Sequence, residues 1–224
     1  MLMIGGATLL LSVGLPVMAL AMTTVDPWEA EIREFEVADH ANPPPLKGVM
    51  FVGSSSIKMW DLAASFPGKG YVNRGFGGSE LADATRVAGR IIYPFRPRLV
   101  ILYAGDNDLA AGKTPARVAA DFGDFVRTVH GWLPRTTILF LSIKPSPSRR
   151  HLVGQAREAN RLIAAAVKQG KRLQYLEVGT ALLARDGQLR PDLYLEDGLH
   201  LNPKGYEIWT ALVGKRLKQF DATK

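Results

Sequence analysis

The sequence predicts a three-layer α/β/α domain built on a parallel sheet, and two patterns carry that expectation. Short apolar runs alternate with longer stretches in which apolar residues recur at three- and four-residue spacing, as buried strands separated by amphipathic helices would. The runs are continuous and not alternating, which fits strands covered by helices on both faces. Length agrees: 224 residues, 47% hydrophobic and 22% charged, suit one globular domain with ample material for a core.

Taken in order, residues 1–21 carry no side-chain charge, hold an apolar run at 7–15 and end in Ala19-Leu20-Ala21. They are expected to form a signal peptide cleaved before Met22, which makes the protein exported, either periplasmic or secreted. Retained, the same segment would be an anchor and give a membrane association, although Gly5, Gly6, Gly14 and Pro16 shorten any continuous span. Residues 27–41 read as a helix, with Trp28, Ile32, Phe35 and Val37 near one face, and Asn42-Pro43-Pro44-Pro45 ends it. Residues 22–46 are therefore expected to be a helix and proline-rich linker ahead of a domain spanning 47–220. Strands are expected at 49–52, 99–103, 137–141 and 173–178, with 71–73 as a fifth. Helices are expected at 81–93, 115–132, 152–168 and 203–220, where Thr114-Pro115 and Asn202-Pro203 supply N-cap and first-turn pairs.

Composition narrows the chemistry. With zero cysteines the chain has no disulfide, thiolate metal site or cysteine nucleophile. The net charge of +7 includes Lys168, Lys171, Arg172, Lys215, Arg216 and Lys218, which fall near the ends of two expected helices, where cations complement the dipole. No nucleic-acid motif accompanies them, and nucleic acid is not an expected partner.

In a parallel sheet, chemistry gathers at the carboxyl ends of the strands. Four polar segments stand there or just before the last helix. Gly53-Ser54-Ser55-Ser56-Ile57 puts a serine on a strand-to-helix turn, where the helix N-terminus favours developing negative charge. Asn73-Arg74-Gly75-Phe76-Gly77-Gly78-Ser79 offers a backbone N–H that a ligand can approach closely. Gly105-Asp106-Asn107-Asp108 adds a side-chain amide donor, and donors on adjacent loops can converge on one oxyanion. In Asp197-Gly198-Leu199-His200, a carboxylate three residues before a histidine can hold Nδ1–H and leave Nε2 to accept a proton from a serine. Each segment also has a plain structural reading: a helix cap or phosphate-gripping loop at the serines, ordinary turns at the second and third, and a cap or metal ligand at the fourth. His40, His130 and His151 fall in no metal-ligand spacing with Asp197 and His200, so no metal is expected.

Together, in their order and spacing over 47–220, these segments resemble the four blocks of the SGNH/GDSL hydrolase family. The resemblance implies Ser55 as nucleophile, Asp197 and His200 as the base pair, and Gly78 and Asn107 as oxyanion donors with the Ser55 N–H. It also implies a flavodoxin-like sheet and no cofactor. Where the family's usual Gly-Asp-Ser stands, this chain reads Gly53-Ser54-Ser55. The run Gly53-Ser54-Ser55-Ser56-Ile57 with Trp60 is similar to the branch of platelet-activating-factor acetylhydrolase-like esterases. Three adjacent serines leave the nucleophile open, and position within the block favours Ser55.

The expected activity is hydrolysis of short-chain, acetyl, esters on a small molecule or glycan. A lysophospholipase or thioesterase, an O-acetyltransferase and a non-catalytic carbohydrate-binding domain remain as alternatives on the same fold. Two connections, 143–151 and 179–201, have room to shape a pocket, and none reads as a lid. Lys144, Arg149, Arg150 and His151 are expected to bring positive charge to the rim, suiting a polar or anionic alcohol portion. Oligomeric state is not legible.

Overall fold

The structure, a computed structural model, describes residues 26–222. The expected leader lies outside the described residues. Five parallel strands, β1 (Val49–Gly53), β2 (Val72–Gly75), β3 (Leu99–Tyr103), β4 (Thr137–Leu141) and β5 (Leu173–Leu176), form one sheet in the order β2-β1-β3-β4-β5. This is the flavodoxin-like order. The segment at 173–178 makes a shorter strand than its composition predicts. At an edge, β5 is half-buried throughout, whereas β1, β3 and β4 are buried at every position, so only the central strands need an unbroken apolar run.

Alternate residues of the central strands face opposite layers. Met50, Val52, Val100, Leu102, Ile138 and Phe140 pack against α1 (Glu29–Ala41), α4 (Leu81–Ile91), α6 (Pro115–Trp132) and α7 (Val153–Gln169). Val49, Phe51, Leu99, Ile101, Leu139 and Leu141 pack against the short helices α2 (Ser55–Lys58) and α3 (Leu62–Ser65) and the long α8 (Pro203–Ala222). Each large side chain removed from water in this way contributes about 1.5–3 kcal/mol. The caps expected at α6 and α8 form: Thr114 Oγ1 accepts from the Arg117 N–H at 3.2 Å, and Asn202 Oδ1 accepts from the Gly205 N–H at 3.1 Å. Among the described residues no helix is long and apolar enough to cross a membrane.

Helix α1 is joined to the body of the domain. Ile32 is fully buried in the sheet's helical layer, and acidic residues of the helix pair with Arg74, Arg90 and Lys58. The Asp39–Arg74 pair is the most enclosed of these, with the guanidinium also set over Phe35 and Phe95 at 5.0 and 5.5 Å.

Register brings three strand ends together: Gly53 is opposite Gly75 on one side and Tyr103 on the other. The chain leaves β1 for β2 on one flank and returns to β3 on the other, so the crevice of the switch point opens beyond Gly53 and Tyr103. Contact there is tight. A Cβ added to Gly53, whose φ is +142°, would lie 1.8 Å from the Tyr103 carbonyl oxygen, so only glycine lets β1 end this close to β3.

Candidate active site

Immediately beyond Gly53 the chain turns into α2: Ser54 is its extended N-cap residue, and Ser55 and Ser56 begin the helix about 100° apart, so the three serines do not share one direction. Ser54 and Ser56 are buried. The Ser54 hydroxyl has no hydrogen-bond partner, and the Ser56 carbonyl accepts from the Tyr206 hydroxyl at 2.9 Å. Ser55 alone of the three turns outward, and its Oγ lies 2.9 Å from His200 Nε2. Asn73 steadies the turn by donating to the Ile57 and Trp60 carbonyls at 2.7 and 3.1 Å.

His200 is held on its other side. Its Nδ1 is 2.5 Å from Asp197 Oδ2, while Asp197 Oδ1 accepts from the backbone N–H groups of Leu199 and His200 at 2.8 and 3.0 Å. Partial burial pushes the Asp197 carboxyl up, but the imidazole and the two amides outweigh it and hold the group at about 2. Asp197 is therefore an ionised acceptor at neutral pH. An Nδ1–H donated to it leaves Nε2 as the basic nitrogen facing the serine, so the arrangement can take a proton from Ser55.

The expected oxyanion donors sit on the neighbouring strand ends. Asn107 lies in a short helix, α5 (Asp106–Ala110), where the sequence suggests only a loop. Its Nδ2 donates to the Ser79 carbonyl at 3.0 Å and its Oδ1 accepts from Arg149 Nη2 at 2.9 Å. Those two partners require opposite ends of the carboxamide, which fixes its orientation and leaves one N–H of Nδ2 for a ligand. Gly78 precedes Ser79 in an exposed turn between β2 and α4. Asp108 locks the same two loops from below: it is fully buried, accepts from the Leu81 N–H at 3.3 and 3.2 Å, and pairs with Lys113 at 2.9 Å. Burial pushes the Asp108 carboxyl up, against the pull of Lys113. Among the described residues no cluster of His, Asp and Glu is spaced to hold a metal ion.

The family model for GDSL-like lipases and acylhydrolases matches residues 55–208, from the serine that meets His200 to beyond the histidine itself. The chain belongs to the GDSL-like lipase/acylhydrolase family. It is accordingly an ester-hydrolysing enzyme. No curated protein matches it. Solved structures share the acylhydrolase fold. A Streptococcus pneumonia protein named for platelet activating factor superposes with a TM-score of 0.76 at 21% identity, covering 84% of this chain and 92% of that one. A GDSL-like lipase from Bacteroides thetaiotaomicron gives 0.71 at 20%, covering 85% and 98%. A carbohydrate esterase family 3 structure from Talaromyces cellulolyticus gives 0.63 at 18%, covering 80% and 100%.

One expectation about this acylhydrolase is corrected. Of the four side chains expected at the rim from the segment after β4, Lys144 and Arg149 turn inward. Lys144 is buried over the Tyr103 ring at 5.8 Å and 3.5 Å from Asp106, and burial lowers its pKa. Arg149 turns inward onto Asn107 and Asp106. Only Arg150 and His151 are exposed. The reason is a latch: Ser148 donates its N–H and its hydroxyl to the Gly198 carbonyl at 3.0 and 3.1 Å, and the Tyr194 hydroxyl donates to the Pro145 carbonyl at 2.5 Å. That draws the segment down against the Asp197–His200 turn. Arg149 is the site residue whose inward role the sequence does not disclose, because it reads there as one cation among several.

Proposed function

We propose that this enzyme is a serine esterase cleaving short-chain, acetyl, esters of a polar or glycan alcohol, with Ser55 as nucleophile and His200 as general base. The observation that carries this reading is the hydrogen-bond chain from Asp197 through His200 to Ser55, at 2.5 and 2.9 Å. Ser55 Oγ attacks the ester carbonyl as His200 Nε2 takes its proton. The oxyanion of the tetrahedral intermediate is held by the N–H groups of Ser55 and Gly78 and the free N–H of Asn107. His200 returns the proton to the departing alcohol and leaves an acyl-Ser55. A water, deprotonated by the same nitrogen, then attacks the acyl carbon and releases the acid.

The preference for a short acyl group rests on the latched loops. A long chain needs a cover for its methylenes, each worth about 0.8 kcal/mol when taken from water. Here the two segments long enough to provide one are bonded to each other through Ser148, Gly198, Tyr194 and Pro145. The carbohydrate esterase of similar fold supports a glycan alcohol. One feature favours a longer acyl group instead: an open groove of about 700 Å³ beside α2, with the exposed Met59 and Leu195 on its walls. Catalytic efficiency on nitrophenyl acetate, butyrate, octanoate and palmitate separates the two. We expect a maximum at acetate or butyrate; a maximum at octanoate or beyond rejects the short-chain reading. Absence of hydrolysis, or hydrolysis that survives Ser55→Ala, rejects the esterase mechanism itself.

A further inference from the structure

The peptide between Gly77 and Gly78 is held at its carbonyl end. Trp28, just ahead of α1, donates its indole N–H to the Gly77 carbonyl at 2.6 Å. A trans peptide is planar, with C=O and N–H pointing opposite ways, so a bond that fixes one direction fixes the other. The N–H of this peptide belongs to Gly78. Glycine on both sides leaves the flanking torsions nearly unrestrained, and such a peptide rotates cheaply unless something holds it.

Trp28 is itself held from several directions. Phe76 meets its ring edge-on at 6.0 Å, the Arg86 guanidinium stands 5.9 Å from the ring, and its backbone N–H donates to Asp26 Oδ1 at 3.0 Å. Asp26 also pairs with Arg86. Behind this corner, α1 is tied down through Arg74, Arg90 and Lys58. The indole is thus a fixed donor on a docked element, and not a mobile ring that happens to touch a loop.

We propose that Trp28 is a positioning residue for the oxyanion site: its indole N–H holds the Gly77–Gly78 peptide so that the Gly78 N–H faces the reacting carbonyl oxygen. This rests on the esterase reading above, in which Gly78 is an oxyanion donor. The hydrogen bond at the carbonyl also polarises the amide and makes its N–H a better donor, an effect that grows as water is excluded. Trp28 lies before the matched span 55–208, so the N-terminal segment contributes to the chemistry of a site whose reacting residues all lie within that span.

The test removes the donor and keeps the ring. Trp28→Phe, and a full chain carrying the isostere 3-benzothienylalanine at position 28, are compared with the native protein on nitrophenyl acetate, with melting temperature recorded alongside. We expect kcat to fall about tenfold in both, less than the loss of a whole oxyanion donor, with KM within about twofold. Affinity for methylboronic acid, which places an oxygen in the oxyanion position, should fall by a similar factor. The isostere preserves packing and decides the matter if Trp28→Phe folds poorly. A kcat within twofold of native in the isostere, or a loss confined to KM, overturns the proposal. Ser55-dependent hydrolysis by the native protein separates that result from a failure of the esterase reading, in which native activity is absent or independent of Ser55.

Discussion

Replacing Asn107 by alanine removes two things at once, and the structure allows each to be sized. In the proposed mechanism the free N–H of Nδ2 is the side-chain oxyanion donor, and losing one such donor costs about 2.7–4 kcal/mol in the transition state, or about a hundred- to a thousandfold in kcat. KM should barely move, because the charge this group meets develops mainly in the transition state. The same substitution leaves the Ser79 carbonyl and Arg149 Nη2 without the partners they have at 3.0 and 2.9 Å. A neutral bond of this kind contributes about 1 kcal/mol and a charged one about 1.5–3 kcal/mol. Arg149 keeps Asp106 at 3.3 Å, and its side chain is 20% exposed, so it recovers part of its loss. A net destabilisation of about 2 kcal/mol follows, equivalent to about 4–8 °C in melting temperature for a chain of this size. Steady-state kinetics on nitrophenyl acetate well below the variant's melting temperature, with calorimetry on the same sample, measure the two effects separately. A loss appearing in KM with kcat retained would show that Asn107 binds substrate and does not stabilise the oxyanion.

Other outcomes follow from the same geometry. Ser55→Ala should reduce hydrolysis to background and abolish labelling by a fluorophosphonate. Ser54→Ala should keep activity within about tenfold and leave the melting temperature unchanged or raised, since it deletes a buried hydroxyl that has no partner; a fluorophosphonate adduct mapped to Ser54 or Ser56 refutes the assignment. His200→Ala should cost roughly a hundredfold more in kcat than Asp197→Ala, because the imidazole carries the proton and the carboxylate orients it; equal losses speak against that division. Asp197 is held at about 2, below its unfolded value, so the stability it confers is present above the unfolded pKa and is lost as pH falls through the folded one. Protonation of Asp197 should therefore cost no activity above about pH 3, and an acid-side loss in that range that Asp197→Asn abolishes would contradict an ionised Asp197. Arg149→Met should lower kcat about tenfold with KM little changed, because Asn107 remains but its carboxamide is no longer oriented; unaltered kcat would reduce Arg149 to a structural tie.

What the sequence determines by itself is whatever is encoded locally. Continuous apolar runs at 49–52, 99–103 and 137–141 name the central strands because both of their faces are covered, and the helical periods at 115–132 and 203–220 name the helices that cover them. The sequence singles out Ser55, Gly78, Asn107, Asp197 and His200 as candidates because their short polar segments stand at strand ends or ahead of the last helix, and because together those segments resemble the blocks of the SGNH/GDSL family. The tertiary structure decides which atoms face one another. The turn from extended Ser54 into α2 brings Ser55, and not Ser54 or Ser56, to His200, and the Ser148–Gly198 latch turns Arg149 onto Asn107 and buries Lys144. Arg149 meets Asn107 across 42 residues and Trp28 meets Gly77 across 49. Neither contact leaves a period or a motif in the chain. They are hydrogen bonds between single side chains and single groups far apart in sequence, and their partners are defined only once the sheet has brought its loops to one edge.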